Sequence, residues 1–179
     1  MWVRLFVGLE LPDALREPLV ALCGGLPGVR WVPPANLHLT LRFIGETRGD
    51  MAEEIDHALA AIRVPAFALS LSGTGLFSRT GRTAALWAGL ERSDRLEHLQ
   101  TKIETALQRI GLPAERKRFQ PHITLARADA VAEPVLARWV QAHNLLRTDP
   151  VEITHFTLFS SLLGKEQPVY VAEVAYALG

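Results

Sequence analysis

"NLHLTLRFIGE", Asn36 to Glu46, sets a histidine and a threonine two residues apart among strand-forming apolar residues, and "RFQPHITLAR", Arg118 to Arg127, does so again. Side chains two apart on a strand share a face. His38 and Thr40 therefore project together while Leu39, Leu41 and Phe43 turn toward a core, and the same parity joins His122 to Thr124 and Ile123 to Leu125. Each His-x-Thr-Leu unit is a polar pair on an apolar anchor. Two copies imply two related lobes within one domain spanning 1–179, and a cleft between them receives two imidazoles and two hydroxyls. Strict alternation also places Arg42 beside His38 and Thr40, and Arg127 on the core side.

Around these units the chain alternates strand and helix patterns. "WVRLFVGLEL" reads as a strand and "PDALREPLVALCGGLPG" as a helix ended by Gly24-Gly25. Pro33-Pro34 separates a short extended piece from the strand that opens near Leu37. "RGDMAEEIDHALAAI" carries Met51, Ile55, Ala58, Leu59 and Ile62 on one helical face. "FALSLSGTGLF" and "TAALWAGLE" are β-rich runs joined by the turn-like "SRTGR", and "SDRLEHLQTKIETALQRIGL" is a helix capped by Ser93 or Asp94 and closed by Gly111. After "HITLAR" come a helix, "VAEPVLARWVQAH", and the closing strands "VEITHFTLFSSLL" and "PVYVAEVAYAL". Strands and helices interleave irregularly, with hairpin-like neighbours. This pattern predicts an α+β fold with antiparallel or mixed sheets, in preference to a doubly wound parallel one.

The formal charge is zero, from 19 Lys and Arg against 19 Asp and Glu, so no global field announces a nucleic-acid or membrane partner and an anion site has to be built locally. Cys23 is the sole cysteine, which excludes an internal disulfide and a cysteine-rich zinc site and fits a cytoplasmic setting. The opening "MWVRLFVGLELP" is interrupted by Arg4 and Glu10 and is too short to span a bilayer. No HExxH, cysteine pair or close carboxylate accompanies either unit, so neither a metal nor a cofactor is expected.

Two imidazoles across a cleft match acid–base cleavage of a phosphodiester: one accepts a proton from attacking water and the other supplies one to the departing oxygen. Histidine's ordinary pKa of about 6.5 keeps both forms accessible near neutrality. The Thr40 and Thr124 hydroxyls can donate to non-bridging phosphate oxygens, and Arg42 can add a cation. His57, His98, His143 and His155 read as surface or packing residues.

At these residues the chain resembles the 2H phosphoesterase superfamily, and within it the RNA 2′,3′-cyclic phosphodiesterases, historically called 2′-5′ RNA ligases. "RWVPPANLHLTL" extends the likeness upstream and "LFSSLLGKEQPVY" carries it to the last strand pair. The resemblance implies a two-lobed fold with a pseudo-twofold cleft and helices outside. It further implies metal-independent opening of an RNA-terminal 2′,3′-cyclic phosphate to a 2′-phosphate, with His38 as proton donor, His122 as acceptor and Arg127 near the phosphate. Trp31, Phe119 and Tyr170 are candidates to stack a terminal base, and Ser161 and Arg30 are further candidate contacts. The alternatives are ligation of 2′-5′ ends, a phosphodiesterase acting on another small cyclic nucleotide, and a non-catalytic RNA- or nucleotide-binding module. The expected partner is an RNA terminus or small nucleotide, with no membrane or protein partner and a monomeric chain.

Overall fold

The computed structural model describes residues 1–78 and 83–179. Its strands are β1 (Trp2–Glu10), β2 (Val29–Trp31), β3 (His38–Arg48), β4 (Phe67–Leu69), β5 (Leu71–Phe77), β6 (Ala84–Leu90), β7 (Ile123–Ala128), β8 (Val151–Ile153), β9 (His155–Leu162) and β10 (Val169–Ala177). Its helices are α1 (Asp13–Leu22), α2 (Gly49–Ala60), α3 (Asp94–Arg109) and α4 (Glu133–Ala142). The expected "SRTGR" turn lies, apart from Ser78, outside the described residues.

Among the described residues every strand pairing is antiparallel. One sheet has the order β10-β9-β1-β3, a second has β2-β7-β6-β5, and β4 pairs with β8. The fold is α+β, with β3, which opens at His38, and β7, which His122 immediately precedes, placed one in each four-stranded sheet. The lobes are not successive halves of the chain. The first sheet takes strands from both ends of the sequence, and the second is drawn from the middle.

Helices form where apolar residues recur at helical spacing. In α3 the stripe Leu96, Leu99, Ile103 and Leu107 is buried, and the Ser93 side chain accepts the Leu96 amide at 3.1 Å, satisfying a donor the helix start would leave unpaired. Gly111 comes next at φ 101, a left-handed conformation that favours glycine and ends the helix. Helices α2 and α3 pack on each other and on β3, and α4 packs on β5. Leu39, Leu41, Ile123 and Leu125, the anchors of the two repeated units, all enter the hydrophobic core.

Both units share an irregularity that alternation does not foresee. In β3 the pairing with β1 passes from Gly8–Thr40 to Val7–Arg42, and in β7 the pairing with β6 passes from Trp87–Thr124 to Leu86–Ala126. Leu41 and Leu125 are therefore the extra residues of two equivalent β-bulges, and each bulge reverses the parity of the residues beyond it. Arg42 turns inward and is 8 % exposed, whereas Phe43 is 49 % exposed. At the matching places on β7, Ala126 is buried and Arg127 is exposed.

Candidate active site

Each histidine is held by the same local device. His38 donates from Nδ1 to the Asn36 carbonyl at 2.7 Å, and His122 donates from Nδ1 to the Gln120 carbonyl at 2.6 Å. A carbonyl only accepts, so the proton sits on Nδ1 and Nε2 is left free for proton transfer. His38 Nε2 lies 2.9 Å from the Thr40 hydroxyl, which donates to it while the ring is neutral.

Burial lowers the His38 pKa, and the positive charges of His122 and Arg127 lower it further, against the opposing effect of the Asn36 hydrogen bond. The two histidines and Arg127 therefore share one neighbourhood, although they belong to different sheets. The Leu125 bulge brings Arg127 there, to the face of Thr124 and away from the core side on which strict alternation alone would put it. In register Arg127 stands opposite Arg30, whose guanidinium is bonded to Asp129; Asp129 also accepts the Thr83 hydroxyl at 2.5 Å.

Arg42 does not join this group, contrary to the alternation argument. Its Nε bonds Glu104 Oε2 at 2.6 Å, Nη1 bonds the Phe43 carbonyl at 2.6 Å, and Nη2 bonds the Pro113 carbonyl. Burial works against the Glu104 charge, but Arg42, the Glu115 amide and Gln108 hold its carboxyl below the usual range. Trp31 is also elsewhere: it pairs with buried Ala126 and packs on Trp139 at 5.6 Å, on the core side of β2. Phe119 is half-buried and packs against the core.

Tyr170 reaches His38 by a route that strand order conceals. In register it belongs to the row of Ser161, Arg4 and Glu46, at the opposite end of the sheet from the Glu10–His38 row and on the opposite edge. Its ring nevertheless meets His38 edge-on at 5.1 Å. The sheet is coiled so that diagonal corners close over Phe6 and Phe159, which stack at 4.8 Å and lie 4.9 Å and 6.0 Å from the His38 ring. Asn36 ties the closure by donating to the Pro168 carbonyl at 2.9 Å. Ser161 stays on the Arg4 row, half-buried beside Tyr170 in register.

Phe77 and Trp87 play the corresponding part for His122, at ring separations of 4.9 Å and 6.2 Å. A Cβ on Gly75 would overlap the Trp87 ring, so glycine there gives the indole its place. Among the described residues no three of His, Cys, Asp and Glu are grouped to hold a metal ion, and no helix is long and apolar enough to cross a membrane.

The family model for the 2′-5′ RNA ligase superfamily matches residues 11–165, most of the chain. The chain belongs to this superfamily. It is 35 % identical over 192 residues to a Thermus thermophilus protein named RNA 2′,3′-cyclic phosphodiesterase, covering 98 % of this chain and 90 % of that one. A protein of the same name from Aeropyrum pernix is 33 % identical over 148 residues, covering 82 % and 84 %. Among solved structures, Escherichia coli LigT complexed with 3′-AMP superposes with a TM-score of 0.79 at 28 % identity, covering 99 % of both chains.

Within this superfamily member, sequence reasoning overlooked Phe6, Phe159, Phe77 and Trp87, the aromatic surroundings of the two histidines. The alternation of Phe6 with Gly8 on β1 marks a face, but only the coil of the sheet shows that His38 lies over it. Of the histidines set aside as surface or packing residues, His57 and His98 are exposed on helices, His143 bonds the Trp139 carbonyl at 2.8 Å, and His155 bonds Glu10 at 3.1 Å.

Proposed function

We propose that this chain hydrolyses the 2′,3′-cyclic phosphate at an RNA terminus to a 2′-phosphate, by metal-independent acid–base catalysis between His38 and His122. The observation that carries the proposal is the matched pair of imidazoles, each oriented by an Nδ1–carbonyl bond two residues upstream, with Arg127 close enough to affect His38. The names of the relatives support the substrate class.

His122 takes a proton from water through Nε2 as the water oxygen bonds phosphorus. The bond from phosphorus to the 3′-oxygen breaks, and His38 gives that oxygen its Nε2 proton. Arg127 and the Thr40 and Thr124 hydroxyls oppose the charge on the non-bridging oxygens as the displacement proceeds. A donor must be protonated, and the cleft by itself disfavours that form of His38. The bound phosphate supplies the missing negative charge, so substrate itself charges the acid.

Incubating the protein with a short RNA ending in a 2′,3′-cyclic phosphate, with and without exhaustive chelation, and identifying the product tests this. A 2′-phosphate product formed at equal rates in both arms supports the proposal. An intact cyclic end, a 3′-phosphate product, or loss of activity on chelation with specific recovery on adding zinc or manganese overturns it.

A further inference from the structure

In this neutral chain the segment leading into β7 is locally basic. Residues 113–122 read "PAERKRFQPH", three consecutive cations against one carboxylate, and Arg116, Lys117 and Arg118 are all exposed. Among the described residues no carboxylate bonds any of the three side chains. Resting on the phosphodiester reading above, we infer that Arg116, Lys117 and Arg118 form a backbone-binding edge that takes the phosphates of an RNA strand upstream of its terminal nucleotide, making the preferred substrate an oligonucleotide end and not a cyclic mononucleotide.

The segment is fixed at both ends, at its start by the Arg42–Glu104 pair and at its end beside His122. At its start, Pro113 accepts from Arg42 on β3, and the Glu115 amide donates to Glu104 at 2.8 Å. At its end, Phe119 packs into the core and the Gln120 carbonyl holds His122. The three cations therefore lie between the point held by Arg42 of β3 and His122, which immediately precedes β7. Arg118 is four residues from His122, at most about 14 Å of extended chain. This reach keeps Arg118 within range of the phosphate next to the reacting one on a single strand. The terminal phosphate already has Arg127 and two imidazoles. Three further cations on the approach exceed what one phosphate needs and match a short run of them.

The test compares binding of an eight-nucleotide RNA ending in a 2′,3′-cyclic phosphate with binding of cytidine 2′,3′-cyclic monophosphate, across a salt series. Wild type is set against the triple variant Arg116→Gln, Lys117→Gln, Arg118→Gln, and against Arg95→Gln with Lys102→Gln, which removes exposed cations from α3. On a single strand each neutralised phosphate contributes about 0.7 to the slope of log affinity against log salt. The triple variant should lose about 2 from that slope and at least tenfold in affinity for the octamer at low salt, with mononucleotide binding unchanged within twofold. The α3 variant should match wild type on both. Equal losses on octamer and mononucleotide, no loss on either, or an equal loss in the α3 variant would overturn the inference. Turnover is followed in parallel: if wild type opens neither cyclic end, the catalytic reading fails, while the length comparison is still decided by binding.

Discussion

Arg42 and Glu104 form an ion pair 2.6 Å long between β3 and α3, and its two members also hold the chain that leads to His122. Removing one partner of a wholly buried pair costs about 3–5 kcal/mol; Glu104 retains some exposure, so Arg42→Met should cost about 2–3 kcal/mol in urea unfolding. It should also slow turnover, because Pro113 loses its tether and Glu104, which holds the Glu115 amide, loses its partner. A folded variant with wild-type stability and turnover would show that the tether is dispensable.

His38 should titrate below the ordinary imidazole value of about 6.5 in the free protein, because burial and two neighbouring cations disfavour its charge. The unfolded imidazole then takes up a proton first as pH falls. This contribution to stability is in place above about pH 6.5 and is lost as pH drops toward the folded pKa. NMR titration should also show the midpoint rising when inorganic phosphate is added. A midpoint at or above 6.5 without phosphate, or one that phosphate leaves unmoved, would contradict this account.

The two threonines should differ. Thr40 touches His38 Nε2 at 2.9 Å, and among the described residues Thr124 has no such bond to His122. Val keeps the β-branched shape and removes the donor. Thr40→Val should slow turnover and displace the limb of the pH profile that belongs to His38, whereas Thr124→Val should slow turnover with the profile in place. Identical profiles for both variants and wild type would leave the 2.9 Å contact without a catalytic part.

Gly75→Ala puts a methyl group where the Trp87 ring lies. Overpacking of this kind costs about 1–3 kcal/mol, and the indole borders His122. Reduced stability, altered tryptophan fluorescence and slower turnover should appear together. Unchanged stability and fluorescence would mean that the ring moves aside freely.

Single replacement of His38 or His122 by Ala should lower turnover of a cyclic-phosphate RNA at least about a hundredfold without unfolding the chain. A nitrophenyl phosphodiester, whose leaving group departs without a proton, should largely rescue His38→Ala and leave His122→Ala impaired. Rescue of His122→Ala instead would exchange the donor and acceptor assignments. Because each comparison is a ratio of rates within one variant, general binding defects cancel.

The paired histidines were legible because a two-residue period needs only local sequence, and the helices because their apolar stripes repeat. Alternation alone misplaces Arg42 and Arg127 because one inserted leucine in each strand reverses the period, and no residue type in "HLTLR" or "HITLAR" marks a bulge; Arg127 was placed near the phosphate only by the family resemblance. Tyr170 was legible as an aromatic but not as a neighbour of His38, since that contact arises from the coil of four strands. Trp31 was placed by its chemistry, which suits stacking on a base as well as on Trp139; only its register with Ala126 decides between the two.

The order of strands β10-β9-β1-β3 also sets a timetable. Strands β1 and β3, with Phe6 and His38, are synthesised early, yet Phe159 and Tyr170, which complete the aromatic surroundings of His38, come from β9 and β10, more than a hundred residues later. The middle sheet, with His122, can assemble while that partner is still awaited. Pairings this distant in sequence close late and slowly, so the lobe whose histidine is made first is the last to be completed. Until β9 pairs with β1 and β10 with β9, the His38 ring lacks its Phe159 and Tyr170 neighbours.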